Sequence, residues 1–389
     1  MPNYKLKLLT TALLSLTLFI GCNTARLPAN VLAPLPYSAA LATAEAKVPT
    51  LEDIFTLSVE QQAEFLAYFT APERQTIAAH ERLYQFLERK ISGFDYQGKN
   101  HTASQAYALN SGNCMSLAVL TKALADIAGI EVKFQSIVSA PVYSIENDLM
   151  LTSDHVRTFL YDPAALSPEG KHYQAQSIII VDYMPTAGYR MTGPRISNDT
   201  FFAMFYRNLA ADALLAEQYE QALALMRTAL ALAPTYGAAI NLTAVVHRRL
   251  DYPALAQQFY QYGLDVSESK AALISNFAVL KQSIGDKVGA DALFEYLATL
   301  DEHDPYQWYV LGKTASQQQN YSEALTYFKK ATQQAPYIHQ LQLELALAYF
   351  QNNQLKLAYQ TMIKATELAA GNGMQLRYYA KLEAIKLQQ

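Results

Sequence analysis

The sequence predicts an α+β domain followed by an all-α repeat solenoid. Near Cys114 an apolar helical pattern begins, and a segment of alternating apolar and polar residues follows it. In the second half of the chain, alanines recur at a spacing of 34 residues. At the start of the chain, lysines precede a short apolar stretch, which is typical of an export signal. These patterns divide the chain into a signal peptide, a tether, the α+β domain, five repeats and a capping helix, at residues 1–21, 22–49, 50–195, 203–370 and 371–389.

Composition narrows the possible partners. Charged residues make up 16% of the chain, the net charge is −4 and no run of lysines or arginines occurs. We therefore expect no nucleic-acid partner. The chain has two cysteines, too few for a zinc cluster or a disulfide framework, so we expect neither a metal nor a cofactor.

The N-terminal segment has the features of a lipoprotein signal. Lys5 and Lys7 precede the apolar stretch from Leu8 to Ile20, which is too short to span a bilayer. Its end, Gly21-Cys22, resembles a bacterial lipobox, which implies that Cys22 is lipidated and becomes the first residue of the mature chain. Asn23 favours the outer membrane, facing the periplasm, over retention at the inner membrane. The alternative is an ordinary secretory signal with an incidental cysteine.

The segments before the cysteine helix show less pronounced patterns. Residues 22–49 are rich in Ala, Pro and Leu without a firm period and are expected to form a tether. Helical patterns cover Leu51 to Phe69 and Glu73 to Ile91. Residues 93–113 are polar and predict a loop with a short helix near Thr102 to Leu109.

Cys114 is predicted to lie at or near the N-terminus of a helix. Ser111-Gly112-Asn113 precedes it, and Gly129 occupies the position of a left-handed cap. Unpaired N–H groups and the positive end of the helix dipole stabilise a thiolate at such a position. If lipid modifies Cys22, Cys114 is the solitary thiol of a protein in an oxidising compartment, which favours a reactive role. The alternative is that Cys114 is a small buried apolar residue.

Two further polar residues follow on predicted strands. A loop from Pro141 to Asn147 precedes a strand from His155 to Tyr161, and a buried strand from Ser177 to Val181 ends at Asp182. Imidazole takes the proton of a thiol and returns it to a leaving amine, and a carboxylate orients the imidazole. Cys114, His155 and Asp182 are therefore candidates for such a set, and Asp154 and Asp162 are alternatives for the acid.

The residues around these positions resemble the transglutaminase-like superfamily, whose members share a papain-like core. The resemblance rests on Gly112-Asn113-Cys114-Met115-Ser116, Asp154-His155-Val156 and Val181-Asp182-Tyr183, and it covers roughly residues 70–190. It implies Cys114 as nucleophile, His155 as base and Asp182 as orienting acid. The stretch between His155 and Asp182 is longer than a simple hairpin, which is a departure from the expected pattern.

The second half of the chain resembles the tetratricopeptide repeat. Small residues recur every 34 positions, at Ala222, Ala256, Ala290, Ala324 and Ala358. The clearest unit contains Trp308, Leu311, Gly312, Ala315, Tyr321, Ala324, Phe328, Ala331 and Pro336. Met374 to Leu387 is expected to cap the stack. The resemblance implies that the repeats bind a protein or peptide partner.

Two functions are compatible with these patterns. The first is an envelope-anchored, cysteine-dependent hydrolase or acyltransferase that acts on peptide amide bonds and recruits its substrate or partner through the repeats. The second is a scaffold lipoprotein whose repeats bind a protein partner and whose transglutaminase-like domain is structural. A bulky residue that fills the pocket, or complete burial of Cys114 beyond the reach of His155, would favour the scaffold.

Overall fold

The computed structural model describes residues 34–386 with several internal gaps. The gaps are at 37, 97, 139–142, 147–148, 153–154, 166–176, 184–190, 301–303 and 372. The predicted signal peptide and Cys22 therefore lie outside the described residues.

Helices surround a small sheet in the first half of the described chain. The helices are α1 (Ala39–Thr43), α2 (Leu51–Phe55), α3 (Val59–Phe69), α4 (Ala79–Lys90), α5 (Ala103–Leu109) and α6 (Cys114–Ile127). The strands are β1 (Asp95–Tyr96), β2 (Ser111–Gly112), β3 (Val132–Val138), β4 (Tyr143–Glu146), β5 (Leu149–Thr152), β6 (His155–Tyr161), β7 (Ile178–Asp182) and β8 (Met191–Ile196). Short 3₁₀ helices lie at Pro72–Arg74 and Pro163–Ala165.

The main sheet has four antiparallel strands in the order β7-β6-β3-β8. Its register places Ile137 opposite His155, and Arg157 opposite Asp182. A parallel pair, β1-β2, and an antiparallel pair, β4-β5, are separate from this sheet.

Helix α6 is the buried centre of the α+β part. Its N-cap, Asn113, accepts a hydrogen bond from the Ser116 N–H, and Ser116 completes a reciprocal capping box. Gly129 follows the helix at φ +67°, as predicted for a left-handed cap. Leu117 and Leu124 are fully buried, so the predicted apolar face packs into the core.

The second half of the chain is a series of helix pairs. They are α7 (Asn198–Leu215) with α8 (Tyr219–Leu232), α9 (Gly237–Arg249) with α10 (Pro253–Val266), α11 (Ala271–Ser283) with α12 (Lys287–Ala298), α13 (Pro305–Gln317) with α14 (Tyr321–Gln334), and α15 (His339–Gln351) with α16 (Leu355–Leu368). A last helix, α17 (Gln375–Lys386), packs on α16. Within the described residues, no helix is both long enough and apolar enough to cross a membrane.

The recurring alanines are buried within the helical repeats. Each of the five is at most 2% exposed. A Cβ atom added at Gly312 would lie 2.6 Å from Cε1 of Phe328, so this position of α13 must stay small for α14 to approach. Gly312 therefore sets how closely α13 and α14 approach.

One apolar core joins the sheet to the first repeats. The rings of Phe134 on β3 and Phe201 on α7 stack with centroids 3.7 Å apart. The same cluster of buried side chains runs from Leu41 to Leu280. The first repeats thus complete the hydrophobic core of the α+β part.

The expectation of a tether is wrong for residues 38–49. Leu41 and Ala44 are buried in the main core, and α1 packs on α8. Small apolar residues can be buried without any helical or strand period, which explains why the pattern did not reveal this packing.

Three local predictions also need correction. The expected loop from Pro141 to Asn147 contains β4, which pairs with β5. The strand near 177–181 exists as β7, but it lies at the edge of the sheet and Ile180 is 49% exposed, so it is not fully buried. The helical pattern from Leu51 to Phe69 is interrupted between α2 and α3, where Ser58 caps a new helix.

Candidate functional site at the start of helix α6

Cys114 is the first residue of α6, as the sequence predicted. The residue lies at the positive end of the helix dipole, a position that favours the thiolate. The residue is only 4% exposed. A reagent or substrate therefore reaches the sulfur only if neighbouring groups move.

A polar network holds the loop that precedes α5 against this helix terminus. The amide of Asn113 donates to Oδ1 of Asn100 at 2.8 Å and to the Gly98 carbonyl at 3.3 Å. Ser116 Oγ donates to the Lys99 carbonyl at 3.1 Å and accepts from the His101 N–H at 2.8 Å. These bonds fix the loop beside Cys114.

The same loop is connected to the first repeat. Asn100 Nδ2 donates to Oδ2 of Asp212 on α7 at 2.8 Å. Asn100 therefore bridges the cap of α6 and a repeat helix. The two bonded residues are 112 positions apart, so local sequence gave no signal of this link.

Gly112 allows the close approach of the loop to α6. Its φ is +144°, and an added Cβ would lie 2.8 Å from both Cβ and Oγ of Ser116 and 3.3 Å from Cδ2 of His101. Any side chain here would meet both strain and a steric clash.

Two tyrosines that the sequence reasoning missed lie close to the thiol. Burial raises the pKa of Tyr183, and negative charge on Cys114 raises it further. The same two causes raise the pKa of Tyr96. Tyr183 donates to Oγ1 of Thr158 at 2.6 Å, and Tyr96 donates to the Tyr183 carbonyl. Cys114 therefore lies in a largely buried, tyrosine-lined environment.

The structure places Asp182 on the outer face of the sheet. Its neighbours Val181 and Tyr183 are buried in the core that contains α6. Because side chains alternate along a strand, Asp182 is on the opposite face, where Arg157 lies across from it in register. The described contacts place Tyr96 and Tyr183 near Cys114.

His155 begins β6, opposite Ile137 of β3. Its side chain lies outside the described part of the structure, as does Asp154. Asp162, the other alternative for the acid, lies beyond the far end of β6, and its Oδ2 is 3.9 Å from Nδ1 of His80. Asp162 is therefore too far along the strand to orient His155. The assignment of Cys114, His155 and Asp182 as a set stays a prediction.

A second candidate site is the surface formed by α9, α11, α13 and α15, the first helices of repeats two to five. We call it the first-helix surface. Polar side chains connect its successive helices through hydrogen bonds between Asn276 and Asn241 (3.1 Å), Tyr306 and Asn276 (3.3 Å), Gln282 and Gln317 (2.7 Å), and Lys313 and Glu344 (2.9 Å). The surface thus presents carboxamides, phenols and an ion pair along several repeats.

Comparison with known families identifies the helix pairs. The family described as Tetratricopeptide repeat matches residues 305–338, which contain α13 and α14. This match, together with the constant spacing of the pairs, confirms that the chain contains tetratricopeptide repeats.

Comparison with solved structures gives matches of low sequence identity. The structure of pilF from Pseudomonas aeruginosa is 19% identical over 49% of this chain and 92% of that chain, with a TM-score of 0.37. YrrB, described as a TPR protein with an unusual peptide-binding site, is 19% identical over 46% of this chain and 92% of that chain, with a TM-score of 0.33. The Cut9–Hcn1 hetero-tetramer of the APC/C gives 13% identity, a TM-score of 0.40 and coverage of 48% of this chain but only 36% of that chain. No curated protein matches the chain in sequence.

Proposed function

We propose that the protein is a scaffold whose repeats bind a protein or peptide partner. The observation that carries this proposal is the first-helix surface, where polar and aromatic groups continue across several repeats. Side-chain amides, phenols and charged groups bind peptide backbones and side chains through hydrogen bonds. Asn276 and Tyr306 are half-buried rather than covered, so a partner can contact them.

Site-specific crosslinking tests the scaffold. A photo-reactive residue at the exposed position Gln282 or Gln317 is expected to capture the same partner, whereas one at Val288, which is 83% exposed on α12, is not. Lys313→Glu should abolish the adducts because it reverses a charge on the surface. Equal capture at Val288, or capture that Lys313→Glu leaves unchanged, would contradict the proposal.

A second candidate function is a transglutaminase-like, papain-like hydrolase or acyltransferase acting on peptide amide bonds. The position of Cys114 at a helix N-terminus, which favours the thiolate, supports it. On this proposal Cys114 attacks the amide carbon, His155 transfers the proton and Asp182 orients the imidazole. The burial of Cys114 favours the scaffold instead.

Alkylation across pH distinguishes the two functions. An assembled Cys–His pair keeps the thiol pKa below its ordinary value of about 8.5, so alkylation of Cys114 should stay fast as the pH falls towards about 6. His155→Ala should return the profile to that of an ordinary thiol, and Asp182→Asn should change turnover more than reactivity. If Cys114 reacts only after denaturation, the scaffold function remains.

We also propose that the protein is lipid-anchored through Cys22, at the outer membrane and facing the periplasm. The proposal rests on Lys5, Lys7, the apolar stretch and Gly21-Cys22. Cys22→Ser should leave an unlipidated precursor that no longer fractionates with the outer membrane. A variant that migrates and localises like the wild type would rule out the anchor.

A further inference from the structure

We propose that the first two repeats contain a peptide-binding site that residues 38–49 of the same chain occupy. We call these residues the strap and the surface of α7, α8 and α9 beneath them the seat. The seat recognises a peptide mainly through its backbone, with a serine and a leucine as side-chain anchors. This site shares α9 with the first-helix surface but uses His247 rather than Asn241 of that helix, and it does not depend on a reactive Cys114.

Three side chains of the seat donate hydrogen bonds to backbone carbonyls of the strap. Arg227 NH1 donates to the Ala42 carbonyl at 2.7 Å, and Gln221 Nε2 donates to the Lys47 carbonyl at 2.9 Å. The Tyr206 hydroxyl on α7 donates to the Pro49 carbonyl at 2.8 Å. Every residue type has a backbone carbonyl, so these contacts hold the backbone of the strap, including its short helix α1, without selecting a sequence.

Ser38 anchors the start of the strap in a buried polar contact. Its hydroxyl lies 2.7 Å from Nε2 of His247, and both residues are almost fully buried. Nδ1 of His247 lies 2.8 Å from the Thr243 carbonyl, which can only accept a hydrogen bond. Nδ1 therefore carries the proton, and Nε2 accepts from Ser38.

Apolar burial adds a second anchor. Leu41 is 5% exposed and Ala44 3% exposed, and both belong to the core that contains α8. The side chains of Ala42, Thr43 and Glu45 point to solvent. This combination of a few anchored side chains and bonded carbonyls is typical of a bound peptide rather than of a core segment.

Because the strap of the same chain occupies the seat, any added peptide must compete with the strap for this site. The strap is covalently attached, so it competes at an effective concentration on the order of millimolar. A peptide added in trans therefore binds weakly to the intact protein and tightly once the strap is weakened.

Peptide binding to the full-length protein tests the proposal. The probe is a fluorescent peptide with the sequence of residues 38–50, and the strap-weakened protein carries Ser38→Ala and Leu41→Ser. We expect this variant to bind the peptide at least about tenfold more tightly than the wild type does. The control Glu45→Gln changes an exposed strap residue and should bind as weakly as the wild type.

Two further measurements fix the site. A peptide that carries the same two substitutions should not bind, and Arg227→Ala in the strap-weakened protein should weaken binding of the original peptide. Equal binding to wild-type and strap-weakened protein, or no binding to a strap-weakened protein with an unchanged circular dichroism spectrum, would overturn the proposal. If the double variant does not fold, Ser38→Ala alone should accelerate amide hydrogen exchange across 38–49, and unchanged exchange would overturn the proposal as well.

Discussion

His247 is a buried histidine whose hydrogen bonds require the neutral ring. Burial lowers its pKa, and the carbonyl of Thr243 offsets part of that effect. Phe259 stacks against the ring, with the two ring centroids 5.0 Å apart. The hydrogen-bond partners of the ring, Ser38 and Thr243, do not ionise near the pKa of histidine. The neutral imidazole is therefore part of the folded structure.

This arrangement predicts that acid weakens the fold. A folded-state pKa below the unfolded value of about 6.5 gives stability that is present above that value and is lost as the pH falls through the folded pKa. The free energy of unfolding, measured with denaturant between pH 8 and pH 5, should fall at the acid end. His247→Gln, which does not titrate, should flatten this dependence, and an identical pH dependence in the variant would refute the assignment.

Gly112 gives a second prediction at this scale. Gly112→Ala forces an alanine to φ +144° and into Ser116, so it should destabilise the protein by more than the roughly 1–3 kcal/mol of backbone strain alone. Gly98→Ala is the matched control, because Gly98 has φ +74° but no atom within 4 Å of the added Cβ. Denaturant midpoints should rank wild type above Gly98→Ala and Gly98→Ala above Gly112→Ala. Equal losses of stability in the two variants would mean that the added Cβ at Gly112 does not clash with Ser116.

At the scale of elements, we expect Ala324 to control the approach of paired helices in the fourth repeat, because it lies in a buried cluster with residues of α13 and α15. The residue is fully buried on α14. Ala324→Leu should overpack this contact and cost about 1–3 kcal/mol, seen as a lower melting temperature. Ala292→Leu, at an exposed position of α12, should have little effect. Similar melting curves for both variants would place Ala324 away from the contact.

Periodic elements were predictable from the sequence because burial repeats with the geometry of the element. The apolar positions of α6 recur every three or four residues, and the alanines recur at every repeat. The expected loop from Pro141 to Asn147 contains β4 because strand formation there depends on pairing with β5, which the residues of so short a segment do not specify. The exposure of β7 depends on its place at the sheet edge, which its β-branched residues do not encode.

The candidate site was predictable only where local chemistry defines it. Cys114 follows turn residues and begins a helix, so its place could be inferred. Tyr183 contacts the region around the start of α6 from the sheet, and Asp212 does so from the first repeat. No sequence pattern near either residue indicates these contacts. Strand alternation, which puts Asp182 on the outer face, depends on the core position of Val181.

At the scale of the whole molecule, we expect the α+β part and the first repeats to depend on each other for folding. Because Phe201 of α7 stacks on Phe134 within a shared core, a chain ending at Ile196 should not fold cooperatively. A chain ending at Thr299 keeps the first three helix pairs and should unfold in one transition. Near-ultraviolet circular dichroism and denaturant titration distinguish the two, and a well-folded chain ending at Ile196 would show that the sheet is independent of the repeats.

If the proposed lipid on Cys22 attaches the protein to a membrane, the docked strap limits how far the protein can stand from that membrane. With the proposed lipid on Cys22, the chain from the lipid to the seated Ser38 reaches at most roughly 55 Å when fully extended. Release of the strap would move the point of attachment from Ser38 to the start of α2 and lengthen this reach to roughly 95 Å. A filled seat would then keep the repeats near the lipid surface. An empty seat would let the repeats reach farther into the periplasm.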